Sequence, residues 1–283
     1  MKKLNIAIVG CGRVSRTAHY SALDVNSELY NFVAVCDVNS ERVKYWSEKN
    51  KVKAYTSINE MLANEKLDIV SINVPNGLHT ELGEIVANHG INLIIEKPLG
   101  MNTSSIDKLL KLCDKKNVKL FNILQNRYNK TNKLLKSCVD NGRFGRLISV
   151  NMIVNWRREI EYYTEDGKWR NRCDMAGGVF TNQCVHYIDI MQWIVGTPPE
   201  TIYAKMGTVL PIEVEDHGSG VVRFKNGVLG TMIFNNHAYP GDIEGSVTLI
   251  GQNGMVKIGG KSMNKIDQWD FKESGVEDDL IKN

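Results

Sequence analysis

The first part of the chain is written in short apolar runs separated by longer mixed segments. The runs are residues 4–9 (LNIAIV), 31–37 (NFVAVCD), 68–75 (DIVSINVP), 92–98 (NLIIEKP) and 118–124 (VKLFNIL). Each is too short for a helix and apolar without strict alternation, the signature of a strand buried on both faces. Between them, SERVKYWSEKN (40–50) and SSIDKLLKLCDKKN (104–117) mix polar and apolar positions as helices do, the second with Ser104 and Asp107 placed like a capping box. Strands alternating with helices predict an α/β unit, a doubly wound parallel sheet, over residues 1–124.

After Phe144-Gly145 the period changes. LISVNMIVNW (147–156), VVRFKNGVLGTMIFNN (221–236) and GSVTLIGQNGMVKIGG (245–260) are strand-like, and the turns Lys225-Asn226-Gly227 and Gln252-Asn253-Gly254 divide the last two into hairpins. Residues 125–283 are expected to form an α+β domain with a large, mainly antiparallel open sheet. One predicted helix interrupts it, AGGVFTNQCVHYIDI (176–190), in which Val179, Asn182, His186 and Asp189 recur at three or four residues. One stripe then carries an amide, an imidazole and a carboxylate. Such a stripe is either a core face with a satisfied histidine beside Tyr187 and Trp193, or a ligand-facing one.

A chain of 283 residues, 42% hydrophobic and 24% charged, can build two medium domains with real cores. A net charge of +3, with both signs interspersed, argues against a nucleic-acid or anionic-membrane partner and leaves a small anionic ligand open. The six cysteines include no CxxC pair, so no structural zinc is expected. His186 and Asp189 have the i, i+3 spacing of a metal pair but no further ligand nearby in sequence, so no metal is expected there either. The apolar run after Lys3 is too brief for a signal peptide, and no stretch reaches the roughly eighteen apolar residues of a membrane span. A cytoplasmic chain with reduced thiols is expected.

Candidate chemistry begins at GCGRVS, Gly10 to Ser15, which follows the first strand and opens a helix. In a dinucleotide-binding turn Gly10 permits the tight bend, and Gly12 lets the backbone approach a pyrophosphate seated on helix N–H groups. Ser15, at the third glycine position, is small enough for close helix packing. Asp37 ends the second strand, where a carboxylate can accept both ribose hydroxyls of NAD and would repel the 2′-phosphate of NADP. The alternative is that Asp37 only starts a turn. EKP (96–98) falls at the carboxyl end of another strand, where such sheets bind ligands, and a partly buried Lys97 there can take part in proton transfer.

Taken in order, GCGRVS, Asp37, NVPNGLH (73–79), EKP, QNRYN (125–129) and the GG…HxxD helix resemble the Gfo/Idh/MocA family of nicotinamide oxidoreductases. NGRFG (141–145), WRREIEYY…WR (156–170), IEVED (212–216) and the 245–260 hairpin resemble one branch, the dehydrogenases that oxidise UDP-2-acetamido-2-deoxy-glucuronate at C3. The resemblance covers nearly the whole chain. It implies an N-terminal Rossmann domain, NAD as cofactor, a UDP-sugar substrate, a 3-keto product for an aminotransferase serving surface polysaccharide synthesis, and a homo-oligomer, tetramer or dimer. It also raises cofactor recycling by a 2-oxo acid.

The resemblance extends the cofactor contacts to Arg13, Val14, Asn73, Pro75, His79, Glu96, Lys97 and Gln125. Many relatives have an aspartate four residues before the histidine where this chain has Asn182, and an amide cannot take a proton. Proton handling is therefore assigned to His186 as acceptor, with Lys97 polarising the oxygen; the reverse assignment fits the same residues. Asn182 and Gln183 are expected to orient substrate, and Asp189 to fix the imidazole or cap N–H groups. Arg127, Asn129, Arg157, Arg158 and Arg170 are candidates for the uronate carboxylate or the phosphates, because a guanidinium fork matches both; ordinary surface pairing is the alternative. Trp156, Trp169 and Tyr163 either wall the sugar or uracil site or belong to the core. The family's further C-terminal segments are not expected after EDDLIKN. The alternatives are the same chemistry on another sugar or polyol, and a non-catalytic nucleotide binder.

Overall fold

The computed structural model describes residues 2–281, so the last two residues of EDDLIKN lie outside it. The chain divides into two compact units. One holds the chain through Ile123 together with Asp174–Ala176, and the other holds Leu124–Cys173 and the chain from Gly177.

In the first unit, β1 (Leu4–Val9), β2 (Tyr30–Cys36), β3 (Lys53–Tyr55), β4 (Ile69–Ile72), β5 (Asn92–Ile95) and β6 (Leu120–Asn122) form one sheet of order β3-β2-β1-β4-β5-β6. Every neighbouring pair is parallel. The unbroken apolar runs follow from burial on both faces. Ala7 and Val9 of β1 enter one core with Val70, Ile72 and Leu93, while Ile8 enters another with Val35, Tyr20 and Trp46. Each valine, leucine or isoleucine among them, once fully buried, contributes about 1.5–3 kcal/mol.

The first core is closed by α3 (Ile58–Asn64), α4 (His79–Asn88) and α5 (Thr103–Lys116), and the second by α1 (Tyr20–Val25) and α2 (Ser40–Asn50). The capping box expected at Ser104 and Asp107 does not form. Asn102 is the cap of α5, extended at φ −149° and accepting the amide of Ser105, which puts Ser104 inside the first turn. The chain order reverses between β1 and β4, so their carboxyl ends flank the crevice where doubly wound sheets bind ligands.

In the second unit, β7 (Leu147–Asn155), β8 (Pro199–Gly207), β9 (His217–Phe224), β10 (Leu229–Asn235), β11 (Glu244–Gly251), β12 (Gly254–Gly259) and β13 (Lys265–Phe271) form a sheet of order β13-β12-β11-β7-β10-β9-β8. β7 and β10 run parallel and the other pairs antiparallel. Both expected hairpins are present; Gly227 adopts φ +85° in the turn between β9 and β10. Helices α6 (Lys130–Asp140) and α8 (Val185–Val195) contribute to the core beneath the sheet, where Leu135, Tyr187 and Ile190 meet Val150, Phe234 and Val247. On the opposite face Tyr203, Val221, Leu229 and Ile233 stand exposed, as one-sided coverage of an antiparallel sheet allows. The short helices α7 (Ile160–Thr164) and α9 (Val276–Ile281) complete this unit.

The segment 176–190, expected as one helix, is broken. Gly178 is extended, Val179–Gln183 form a π-helical turn, and Cys184 at φ −92°, ψ 1° separates that turn from α8. A second π-turn, Ser15–His19, leads into α1. Both lie next to the residues that carry the candidate chemistry, a common place for π-turns. Among the described residues no helix is long and apolar enough to cross a membrane.

Candidate active site

In the first unit the glycine turn is built as a dinucleotide turn must be. Gly10 has φ +93°, and a Cβ there would lie 2.3 Å from the carbonyl oxygen of Asn73, so no side chain fits. A Cβ on Gly12 would meet nothing within 4 Å, which leaves its backbone open to an approaching phosphate. Ser15 does more than replace a glycine: its buried hydroxyl donates to Gly10 O at 2.5 Å and accepts the Asn73 amide at 3.2 Å. Asp37 accepts Cys11 N at 2.6 Å and Asn39 N at 2.8 Å, one per carboxylate oxygen. It therefore fixes the turn, and each oxygen keeps a lone pair for a ribose hydroxyl. Arg13 is exposed and Val14 half-buried beside it.

A hydrogen-bonded chain runs from this turn to EKP. Asn73 Oδ1 meets the Ser71 hydroxyl at 3.2 Å, and that hydroxyl meets His19 Nδ1 at 3.2 Å. His19 Nε2 lies 3.0 Å from Glu96 Oε1, and Glu96 Oε2 accepts Lys97 N at 3.1 Å. Burial works to raise the Glu96 pKa, but the His19 contact and the Lys97 charge outweigh it and hold the carboxyl below the usual range. Ser71 and His19 are not legible as site residues in the sequence; Ser71 stands out only as a polar position in the apolar strand IVSI, and His19 ends the polar turn SRTAH.

His79, a cofactor candidate, is wholly buried, with Nδ1 2.6 Å from Pro98 O and Nε2 2.9 Å from Val74 O. The ring bridges the carbonyls that follow β4 and β5; burial lowers its pKa, against the pull of those two carbonyls. Pro75 caps the short turn Asn76–Leu78. Asn76 and Gly77 hold the late segment of this unit, Asn76 Nδ2 donating to Ala176 O at 3.1 Å and Gly77 N to Met175 O at 2.9 Å. Lys97 is half-buried and its bond to Pro98 is cis.

In the second unit the π-turn is seated on Glu215. The Glu215 carbonyl accepts Val179 N at 2.9 Å, its carboxylate accepts Phe180 N at 3.3 Å, and a Cβ on Gly178 would fall 2.1–2.2 Å from Glu215 atoms. Gly178 thus leaves room for Glu215, while Gly177 adopts φ +64° with a Cβ position 2.7 Å from Thr181 Cβ. The turn presents Asn182, which donates to Tyr162 OH at 3.4 Å, and Gln183, whose amide oxygen and nitrogen are both buried without a hydrogen bond. Beyond Cys184, His186 receives Gln125 Nε2 at 3.4 Å on its own Nε2. Gln125, assigned to the cofactor from the sequence, therefore meets the imidazole in this unit.

The candidate arginines separate. Arg127 is held by Asp189 in a bidentate pair. Arg157 pairs with Glu159 at 2.5 Å and lies over Tyr239. Arg158 binds Asp242 at 2.8 Å. Arg170 lies 5.0 Å over Tyr162, the partner of Asn182, with only a loose 3.5 Å pair to Asp166. Asn129 reaches Ser262 O at 3.4 Å. Tyr163 is core, 1% exposed with its hydroxyl on Asn236 and its pKa pushed up to about 12 by burial. Trp156 donates to Lys261 O and meets Tyr187 edge-on, whereas Trp169 lies under Arg170.

Comparisons with known proteins agree with this division. Residues 4–123 match the oxidoreductase family with an NAD-binding Rossmann fold, and residues 133–257 match the Gfo/Idh/MocA C-terminal domain. The structure is similar to the WlbA dehydrogenase of Chromobacterium violaceum, solved with NADH and UDP-GlcNAcA, at 36% identity and TM-score 0.97, covering 100% of this chain and 81% of that one. It is similar to the WlbA dehydrogenase of Bordetella pertussis, solved with the same ligands, at 35% identity and TM-score 0.96, covering 100% and 84%. A myo-inositol 2-dehydrogenase of Thermotoga maritima is 25% identical over 261 residues, 89% of this chain and 74% of its own length.

Proposed function

Because the chain belongs to the Gfo/Idh/MocA family of NAD-binding oxidoreductases, we propose that it oxidises the C3 hydroxyl of UDP-2-acetamido-2-deoxy-D-glucuronate to the 3-keto sugar nucleotide. The observation that carries the substrate is the 36% identity, along the whole of this chain, to a dehydrogenase solved with NADH and UDP-GlcNAcA. The chain's own chemistry supports it. The open backbone at Gly12 and the carboxylate of Asp37 suit a pyrophosphate and a ribose. Bound NAD supplies the acceptor for the hydride.

His186 is assigned the hydroxyl proton and Lys97 the polarisation of its oxygen. Glu96, ionised beside Lys97 N, anchors the lysine's backbone. Gln183 is the strongest local sign of a ligand: leaving both amide atoms buried and unbonded costs on the order of 1–3 kcal/mol each, and a polar substrate group would recover it. Arg170, next to Tyr162 and Asn182, is assigned the uronate carboxylate. Arg127 and Arg157 are already engaged by acids.

The 3-keto product suits a following aminotransferase in surface-polysaccharide synthesis, and a 2-oxo acid would return the cofactor to NAD. All six cysteines are free of disulfides, in keeping with a cytoplasmic enzyme. The exposed apolar positions on the sheet's open face are assigned to a homo-oligomer contact, which light scattering on a sizing column checks.

The test is a single-turnover titration of NAD-loaded protein with UDP-N-acetylglucosaminuronate, UDP-N-acetylglucosamine and myo-inositol, followed by reduced-nicotinamide absorbance. Reduction with the uronate alone is expected. Reduction with inositol would favour the polyol reading that the 25% identical relative supports. Lys97→Ala and His186→Ala are expected to lose turnover and keep NADH binding; unchanged turnover in both overturns the assignment.

A further inference from the structure

Outside the residues assigned above, the second unit brings together three groups that sequence spacing does not reveal as a set. Asp216 precedes β9, His217 is its first residue, and His237 follows β10. Asp216 Oδ1 lies 2.8 Å from His217 Nδ1 and 3.1 Å from His237 Nε2. One oxygen or nitrogen from each of the three falls within 4.8 Å of the others.

The carboxylate is fixed before any ligand arrives. Its Oδ2 accepts Val209 N and Leu210 N, each at 2.9 Å, while Asp216 N donates to Gly207 O and Asp216 O accepts Asn236 N. His237 is pinned in turn, its N–H on Asn235 Oδ1 and its backbone bridged to Arg157. The ring nitrogen of His237 that faces Asp216 is buried and close enough for an ion pair, yet out of line for a hydrogen bond.

We propose that Asp216, His217 and His237 form a binding site for a borderline divalent cation, with Zn²⁺ the best match. Two imidazole nitrogens and one carboxylate oxygen are a donor set for Zn²⁺, Co²⁺ or Ni²⁺, whereas Mg²⁺ and Ca²⁺ take oxygens. Bonds of about 2.0–2.2 Å at tetrahedral angles set neighbouring ligand atoms about 3.3–3.6 Å apart, so the 2.8 Å hydrogen bond and the 3.1 Å contact need open by only a few tenths of an ångström to admit one ion. Both histidine side chains are partly exposed, 40% and 32%, which leaves a side for water to complete the shell. The ion would act structurally: Glu215, the preceding residue, seats the π-turn that carries Asn182 and Gln183. The site does not depend on which sugar the enzyme takes.

The experiment titrates metal-stripped protein with Zn²⁺ alone by calorimetry, in a Cys173→Ser background because Cys173 is the exposed thiol. One saturable equivalent and a rise in Tm are expected. His217→Gln and His237→Gln are each expected to weaken binding more than about tenfold while keeping the parent's cooperative urea transition, which reports that the second unit is folded. Co²⁺ in place of Zn²⁺ is expected to give the visible bands of a nitrogen-and-oxygen shell without thiolate charge transfer. No saturable binding in the unsubstituted triad, or binding unchanged in both histidine variants, overturns the proposal and leaves the triad a hydrogen-bonded clasp.

Discussion

Arg127 grips Asp189 with two parallel hydrogen bonds, Nε to Oδ2 at 2.8 Å and Nη2 to Oδ1 at 2.5 Å. The carboxylate sits one turn past His186 on α8, and the arginine sits on the Gln125–Tyr128 turn whose first residue reaches His186. The fork therefore fastens the turn that supplies the imidazole's partner. The Asp189 contact also raises the Arg127 pKa, so the guanidinium stays charged.

Arg127→Ala leaves a partly buried carboxylate without its cation. Because the arginine side chain is 37% exposed, the expected loss is modest, about 1–2 kcal/mol, measured as a drop in the urea midpoint. The Arg127→Ala/Asp189→Ala double variant is expected to lose no more than the worse single one. Fully additive losses would show that the two residues act separately.

Two glycines are predicted to respond in opposite ways. Gly178→Ala drives a methyl into Glu215, including its backbone carbonyl at 2.2 Å, and is expected to cost at least about 1–3 kcal/mol. Gly12→Ala meets no protein atom within 4 Å, so its stability should change by less than about 0.5 kcal/mol. Its NADH affinity, read by fluorescence titration, is expected to fall, because the methyl fills the space left for phosphate. Normal NADH binding by Gly12→Ala would place the pyrophosphate elsewhere.

The Glu96 carboxyl has a pKa below its ordinary value of 4.5 in the folded chain. A group held low contributes stability above its unfolded pKa and loses it as the pH falls through the folded one. Glu96→Gln is therefore expected to be less stable than the parent at neutral pH, with the gap closing below pH 4.5. Urea denaturation of both proteins across that range measures it; a pH-independent gap would mean that Glu96 acts only through shape.

Cys173 is the exposed thiol, whereas burial pushes the Cys11 and Cys138 pKa values up to about 11 and that of Cys36 up to about 12. The thiolate is the reactive form, so native protein at neutral pH should consume a disulfide reagent rapidly at one site. All six thiols should react in denaturant. Fast reaction of a second thiol in the native state would reveal local opening of a core.

What the sequence determined by itself was whatever neighbouring residues decide. The runs at 4–9 and 92–95 are apolar at every register that faces a core, so strands and their parallel packing followed. Gly10 and Gly12 announced a phosphate turn, and Asn226-Gly227 a hairpin, because local sterics permit few other conformations there. The sequence also placed Lys97 at a strand's carboxyl end. What only the tertiary structure decided was who partners whom. His19 meets Glu96 across 77 positions, Arg127 meets Asp189 across 62, and the buried His79 meets Pro98 O across 19. The predicted single helix at 176–190 broke because Glu215 occupies the space beside Gly178, a fact no window of local sequence contains. Local propensity acts over a few bonds, whereas a buried polar group takes its partner from whichever distant strand end the fold brings within 3 Å, and that choice fixed the chemistry.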